Sequence, residues 1–195
     1  MDNWARITTY HEVLGRYVPE DDCLESLVVM KAEVDQRSWA VFGTNIRNGM
    51  DMVRCYNYNV LEWDGMGFLK DYLREGYEVF TGIKGSVLYA QTWVNYLIEK
   101  EQITNHNHLA FEVPREQFVS GHYHVKVNES SLNYYGEGEN TESVLNKRNM
   151  LTIFSPNVPH HTDVVVDDQR VSVGFDIMNE EFYNQYENLE NWIKI

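Results

Sequence analysis

Hydrophobic and polar side chains alternate most regularly near the end of the chain, from Arg170 to Ile177. Successive side chains of a β-strand point to opposite faces of the sheet, so this alternation predicts a strand with one polar and one apolar face. The polar face would carry Arg170, Ser172, Gly174 and Asp176. The apolar face would carry Val171, Val173, Phe175 and Ile177.

The pattern elsewhere predicts one main helix among many short strands. Residues 66–80 have apolar side chains at helical spacing, and Gly82 is placed to end that helix. The segments 87–98, 118–127, 132–135 and parts of 151–177 are rich in aromatic and β-branched residues, which is typical of strands. We expect a loop at 136–147, which is polar and acidic, and an amphipathic helix at 182–193.

These elements predict a mainly β protein, with two packed sheets in a β-sandwich or jelly roll and one or two flanking helices. We expect a single domain over residues 1–195. Within it, we assign N-terminal strands or an arm to 1–60 and a helix to 61–82. The jelly-roll core would span 87–178, and a C-terminal helix would span 180–195.

Composition and charge exclude several classes of partner. With 43% hydrophobic residues the chain should fold, and its net charge of -14 argues against nucleic acid and against anionic membranes. No apolar run approaches the roughly 20 residues of a membrane span. Cys23 and Cys55 have no C-x-x-C spacing, so we expect a reduced, cytoplasmic protein. The sequence is compatible with a homodimer.

The histidines are the main sign of chemistry, because six of the seven lie between residues 106 and 161. An H-x-H pair on a strand points both imidazoles to one face, and a third histidine from a distant strand can complete a metal site. Imidazole suits iron, zinc, copper and nickel. His161, next to His160, should point the other way. The pairs are His106 and His108, His122 and His124, and His160 and His161.

An ordered set of motifs resembles the iron(II)- and 2-oxoglutarate-dependent oxygenases, in particular a small subgroup with an H-x-H, H and R-x-S pattern. The resemblance covers roughly residues 60 to 178 and implies a double-stranded β-helix, a jelly-roll or cupin-like fold. It is carried by Trp93-Val94-Asn95, His106-Asn107-His108, Ser120-Gly121-His122-Tyr123-His124, Phe154-Ser155-Pro156-Asn157-Val158-Pro159-His160 and Arg170-Val171-Ser172-Val173-Gly174-Phe175.

The resemblance implies roles for individual residues. His106 and His160 would be the first and last iron(II) ligands, with His108 as the candidate third ligand. Arg170 would form a salt bridge with the distal carboxylate of 2-oxoglutarate, and Ser172 would donate a hydrogen bond to it. Asn95 would also contact this co-substrate, and His124 would contact either the co-substrate or the metal. The reaction would use O2 to hydroxylate an unknown small molecule or protein side chain, with no catalytic residue beyond the metal ligands.

One departure from the family pattern keeps two alternatives open. Most of the superfamily has Asp or Glu two residues after the first histidine, where this chain has His108. One alternative is a cupin-type metal protein that does not use 2-oxoglutarate, with Glu112 as a ligand beside His106, His108 and either His160 or His161. The other is a non-catalytic jelly-roll binding module.

Overall fold

The computed structural model describes residues 8–9, 59–62, 66–109, 111–127, 129–135, 141–147, 150–167, 169–187 and 189–195. Strands predominate in these ranges. A 3-10 turn, Val60–Glu62, precedes the main helix. The helices are α1 (Gly67–Thr81) and α2 (Glu180–Tyr183), and the strands are β1 (Thr8–Thr9), β2 (Leu88–Ile98), β3 (Phe118–Lys126), β4 (Ser131–Tyr135), β5 (Thr141–Leu145), β6 (Leu151–Phe154), β7 (His160–Thr162), β8 (Gln169–Asn179) and β9 (Ile193–Lys194).

Helix α1 forms where the apolar spacing predicts it. Gly82 ends it in the left-handed conformation, with φ of 80°, and its N–H donates to the Glu78 carbonyl at 2.9 Å. This is the ending that a glycine favours, because it has no Cβ to clash. The helix buries one stripe, which consists of Leu69, Tyr72, Leu73, Gly76, Tyr77, Phe80 and Thr81.

Two antiparallel sheets form the described part of the chain. The larger has the strand order β1-β6-β3-β8-β2-β9, and the smaller has the order β5-β4-β7. Strand β8 lies between β2 and β3 and pairs with β2 along its whole length, from Leu88 opposite Asn179 to Ile98 opposite Gln169. The strand that the alternation predicted, β8, therefore lies in the interior of the larger sheet.

The two faces of β8 meet different surroundings. Val171, Val173, Phe175 and Ile177 belong to the main core cluster with the α1 stripe. Helix α1 packs closely against this face of the larger sheet, since a Cβ added at Gly76 would lie 2.6 Å from a side-chain carbon of Leu151 on β6. The opposite face of β8 carries buried polar residues and is the face on which the site is built. These are Arg170, Ser172 and Asp176.

Two predicted elements are wrong. The stretch predicted as a loop contains β5, which pairs with β4 from Ser131 opposite Leu145 to Tyr135 opposite Thr141. Four of its five side chains are exposed, so its polar sequence suited an edge strand as well as a loop. Residues 136–140 lie outside the described residues.

The C-terminal helix predicted for 180–195 is the second error. Only Glu180–Tyr183 is helical, capped by the Asn179 side chain, which accepts a hydrogen bond from the Phe182 N–H. Asn191 has a positive φ of 62°, and β9 then pairs with β2, with Ile193 opposite Ala90. The apolar residues of this segment pack without helical geometry: Leu189 and Trp192 lie against the cluster of Phe118, Met178 and Phe182.

Little of the N-terminal region falls within the described residues. Thr8 and Thr9 form β1 and pair with Ile153 and Thr152 on β6, as an N-terminal strand would. The rest of the predicted arm up to residue 58 lies outside them. In the part of the chain that is described, no helix is long and apolar enough to cross a membrane.

Candidate metal centre

The backbone brings His106 and His160 together although 54 positions separate them. The His106 N–H donates to the His160 carbonyl at 3.0 Å, and the His160 N–H donates back to the His106 carbonyl at 2.8 Å. Two residues on, the His108 N–H donates to the Pro156 carbonyl at 2.8 Å. The segment before β3 is therefore fixed against the start of β7 by its own backbone.

The side chains of His106, His108 and His160 converge. One ring nitrogen of each lies within 4.8 Å of the others, and this is the group suited to a metal ion among the described residues. The ring centroids of His106 and His160 are 4.3 Å apart. The His108 centroid lies 5.6 Å from the first and 5.3 Å from the second. Three imidazoles arranged in this way fit iron, zinc, copper or nickel.

Hydrogen bonds orient all three rings. Nδ1 of His106 donates to the Thr104 carbonyl at 2.9 Å, and Nδ1 of His160 donates to the Val158 carbonyl at 2.9 Å. Carbonyl oxygens only accept, so Nδ1 carries the proton in both rings. The Nε2 atom then has the lone pair that a metal requires. Metal-binding histidines are usually held by such a bond on the other ring nitrogen.

His108 differs from the other two because its Nδ1 lies 2.6 Å from a carboxylate oxygen, Oδ1 of Asp176. The same oxygen accepts a hydrogen bond from the Ser120 hydroxyl at 2.6 Å. The His108 side chain is 0% exposed and that of Asp176 is 5% exposed. A buried carboxylate thus stands directly behind one of the three candidate ligands.

Next to this centre, polar residues form rows across the larger sheet. Ser172 on β8 lies opposite both Asn95 on β2 and His124 on β3. In the adjacent row, Gly174 lies opposite Trp93 and His122. A Cβ at Gly174 would lie 2.5 Å from the Trp93 indole, so the indole can pack here only because residue 174 has no side chain.

Arg170 is the largest charged group in this pocket. Its side chain is 1% exposed, and no hydrogen-bond partner for its three guanidinium nitrogens exists among the described residues. Burial lowers the pKa of Arg170 to about 10, so it is still charged at neutral pH. A buried cation without an acceptor is unfavourable, and an anionic ligand would remove that cost.

Further polar side chains in the pocket also have no hydrogen-bond partner among the residues described. Leaving a buried donor or acceptor unpaired costs about 1–3 kcal/mol, so such a set is typical of a ligand site. The groups concerned are both ring nitrogens of His122 and of His124, both polar atoms of the Asn95 side chain, and the hydroxyls of Tyr134 and Thr152.

The electrostatics keep these groups neutral around Arg170. Burial, followed by the charge of Arg170, holds the pKa of His124 well below its usual range. Burial and then the neighbouring His160 do the same for the pKa of His122. Burial raises the pKa of the Tyr134 hydroxyl. At neutral pH Arg170 is therefore a cation among neutral imidazole and phenol groups, and the Asp163 carboxylate is near enough to oppose part of the effect of burial on its pKa.

The pocket and the metal centre are continuous. The His122 ring lies 5.6 Å from His160 and 6.3 Å from His124. The Tyr134 ring lies 5.8 Å from His160, and its hydroxyl interacts electrostatically with Arg170. A small molecule bound between these groups would contact both ends.

Two residues of the cupin alternative are not brought to the centre. Glu112 is exposed and is not part of the histidine group, so the structure does not bring this alternative ligand to the centre. His161 points away, as predicted, and its ring stacks against Tyr135 with centroids 5.3 Å apart.

Two residues of the site, Asp176 and His122, were not predicted from the sequence as ligands of the metal or of the co-substrate. For Asp176 a signal existed, because the alternation already placed it on the polar face with Arg170. For His122 the period-2 spacing from His124 placed it in the same cavity.

No protein-family model and no curated protein matches the sequence. Solved structures do resemble the fold. EvdMO1 is 13% identical over 84% of this chain and 45% of its own, with a TM-score of 0.55. AviO1 from Streptomyces viridochromogenes Tue57 is 9% identical over 61% of this chain and 63% of its own, with a TM-score of 0.51. An oxidoreductase of the 2OG-Fe(II) oxygenase family from Burkholderia pseudomallei is 11% identical over 62% of this chain and 54% of its own, with a TM-score of 0.47.

The chain spans less than two thirds of the length of each of these proteins. At such low identity, the likeness to EvdMO1 and AviO1 shows the fold alone. The chain has the mainly antiparallel double-stranded β-helix that its sequence predicts.

Proposed function

We propose that this protein is an iron(II)- and 2-oxoglutarate-dependent oxygenase that hydroxylates a substrate still to be identified. The observation that carries the proposal is the buried guanidinium of Arg170, which faces the pocket next to the three histidines and has no acceptor among the described residues. A metal site alone would not need this cation. A metal site that binds a dicarboxylate would.

Arg170 supplies what a carboxylate requires. The guanidinium donates two parallel hydrogen bonds to the two oxygens of a carboxylate, and such charge-assisted pairs are the strong ones. Its pKa of about 10 keeps it protonated at neutral pH. The neighbouring row of Asn95, Ser172 and His124 offers further uncharged polar groups for the same ligand, since all three side chains are buried on this face.

The three histidines supply the other end of the site. His106, His108 and His160 would hold iron(II) through Nε2, beside the pocket in which Arg170 would bind 2-oxoglutarate. When bound there, the iron would reduce O2 at the expense of 2-oxoglutarate and oxidise the substrate. Phe154, whose ring lies 4.6 Å from that of His160, and the buried Trp93 would exclude water from this side of the pocket.

The test is an anaerobic titration of 2-oxoglutarate into iron(II)-loaded protein, followed by the visible metal-to-ligand charge-transfer band. A saturable band is expected. Arg170→Ala should keep iron(II) but bind 2-oxoglutarate at least about 30-fold more weakly, because truncating one partner of a buried charge pair costs about 2–5 kcal/mol. Arg115→Ala is the matched control, since that side chain is 41% exposed and pairs with Glu116.

The other outcomes separate the alternatives. If iron binds but 2-oxoglutarate neither binds nor is consumed, the proposal is wrong and a cupin-type metal protein without this co-substrate is favoured. If no metal binds, the histidines have a structural role and the protein is a jelly-roll binding module. Equal titrations for wild type and Arg170→Ala would refute the role of the arginine.

A further inference from the structure

The hydrogen bonds behind the three candidate ligands are not equivalent. His106 and His160 donate to backbone carbonyls, which are neutral acceptors. His108 donates to Asp176, which is a carboxylate, and the Nδ1 to Oδ1 distance of 2.6 Å is short. A carboxylate ligand at the position of His108 would bring such a negative charge to the metal directly.

Asp176 is fixed in place by the centre of the larger sheet. It lies on β8 opposite Ser120 on β3 and Gln91 on β2. The Ser120 hydroxyl donates to the same oxygen that accepts from His108, and Ser120 is 0% exposed. The carboxylate therefore has little freedom to turn away from the histidine.

What distinguishes a carboxylate from an amide at this position is its charge. The side-chain oxygen of an asparagine could accept the same two hydrogen bonds without a charge. Burying an ionised carboxylate is unfavourable unless a positive charge compensates it. A divalent ion held by His108 would be such a charge, at the far side of the imidazole ring.

Resting on the function proposed above, we propose that Asp176 is a positioning residue that supplies through His108 the negative charge that a directly bound carboxylate would supply. Its hydrogen bond draws the Nδ1 proton of His108 and makes Nε2 a stronger donor to the metal. The three-histidine centre thereby has the charge balance of a centre with two histidines and one carboxylate, although the carboxylate is hydrogen-bonded to a ligand and does not bind the metal itself.

The test measures metal binding and redox potential rather than turnover. Asp176→Asn preserves shape and both accepted hydrogen bonds but removes the charge. We expect it to bind iron(II) about 10- to 100-fold more weakly in an anaerobic chelator competition. The Fe(III)/Fe(II) potential should shift upwards, because less negative charge then stabilises the ferric ion. Ser120→Ala is the control: it keeps the charge and should change both readouts far less.

A double-mutant cycle separates this role from a purely structural one. His108→Asp places a carboxylate at the ligand position, so adding Asp176→Asn to it should cost no affinity for iron(II). This pair also serves if Asp176→Asn alone does not fold, because the comparison is then between His108→Asp and the double variant. An equal loss in both backgrounds would overturn the proposal, as would an Asp176→Asn variant with wild-type affinity and potential.

This result is independent of the co-substrate. Wild-type protein that binds iron(II) but not 2-oxoglutarate would refute the proposed function and leave the role of Asp176 standing. Protein that binds both, with Asp176→Asn unchanged, would refute the role of Asp176 alone.

Discussion

Replacing the buried arginine by a side chain of similar length should stabilise the metal-free protein. In Arg170→Met the apolar chain remains and the guanidinium is lost. Burial disfavours the charged form of the guanidinium. As long as the group is charged, its burial therefore lowers the free energy of unfolding. Here the pKa falls from 12.5 to about 10, and each unit corresponds to about 1.4 kcal/mol. The charge therefore costs on the order of 3 kcal/mol.

The net gain should be smaller, because methionine fills the space less well than arginine. We expect about 1–3 kcal/mol, which for a chain of this length raises Tm by roughly 2–10 °C. The assay is a thermal melt of metal-free protein, with chemical denaturation as a second measure. Arg115→Met, on the surface, should stay within about 0.5 kcal/mol of wild type.

Ligand should reverse the order of the two proteins. With iron(II) present, 2-oxoglutarate at 1,000 times its Kd should stabilise the wild type by about 4.1 kcal/mol, whereas Arg170→Met should not respond. A metal-free Arg170→Met that is less stable than wild type by more than about 1 kcal/mol would refute the reasoning.

Two further predictions concern pH and packing. Burial lowers the pKa of His122 and His124, so below about pH 6.5 the unfolded chain takes up protons that the folded protein does not. The free energy of unfolding should therefore fall by up to about 1.4 kcal/mol per pH unit for each histidine as the pH is lowered. Chemical denaturation of His124→Gln between pH 7.5 and 5.5 should show a weaker dependence of this free energy on pH. The same dependence in wild type and variant would contradict the assignment. Gly174→Ala should cost about 1–3 kcal/mol and shift the tryptophan fluorescence, because its Cβ would lie 2.5 Å from Trp93. Gly67→Ala, with nothing within 4 Å, is its control, and equal effects would contradict the packing argument.

The sequence predicted those parts of the fold in which the chain repeats a local pattern. The alternation from Arg170 to Ile177 predicted both faces of β8, and the helical spacing predicted α1. The pattern failed at the C-terminus, where Ile193 returns to β2 as a strand. Helical spacing over a dozen residues could not reveal that Asn191 has a positive φ or that Trp192 packs on a distant cluster.

The candidate site was predictable in its residue types but not in its connections. The histidines and Arg170 stood out because such residues are costly to bury without a purpose. The bond from His108 to Asp176 joins residues 68 positions apart, and only the register between β8 and β3 brings Ser120 to the same carboxylate. Long-range pairing of this kind follows from topology, which one sequence does not contain.

The position of the histidines gives the metal a mechanical role as well. His160 opens β7 in the smaller sheet, whereas His108 is tied through Asp176 to β8 in the larger one. An ion bound by both histidines would link the two sheets. Separation of the two sheets at this point and loss of the ion would then be a single event, so the lifetime of the bound metal would set how long the two sheets stay together there.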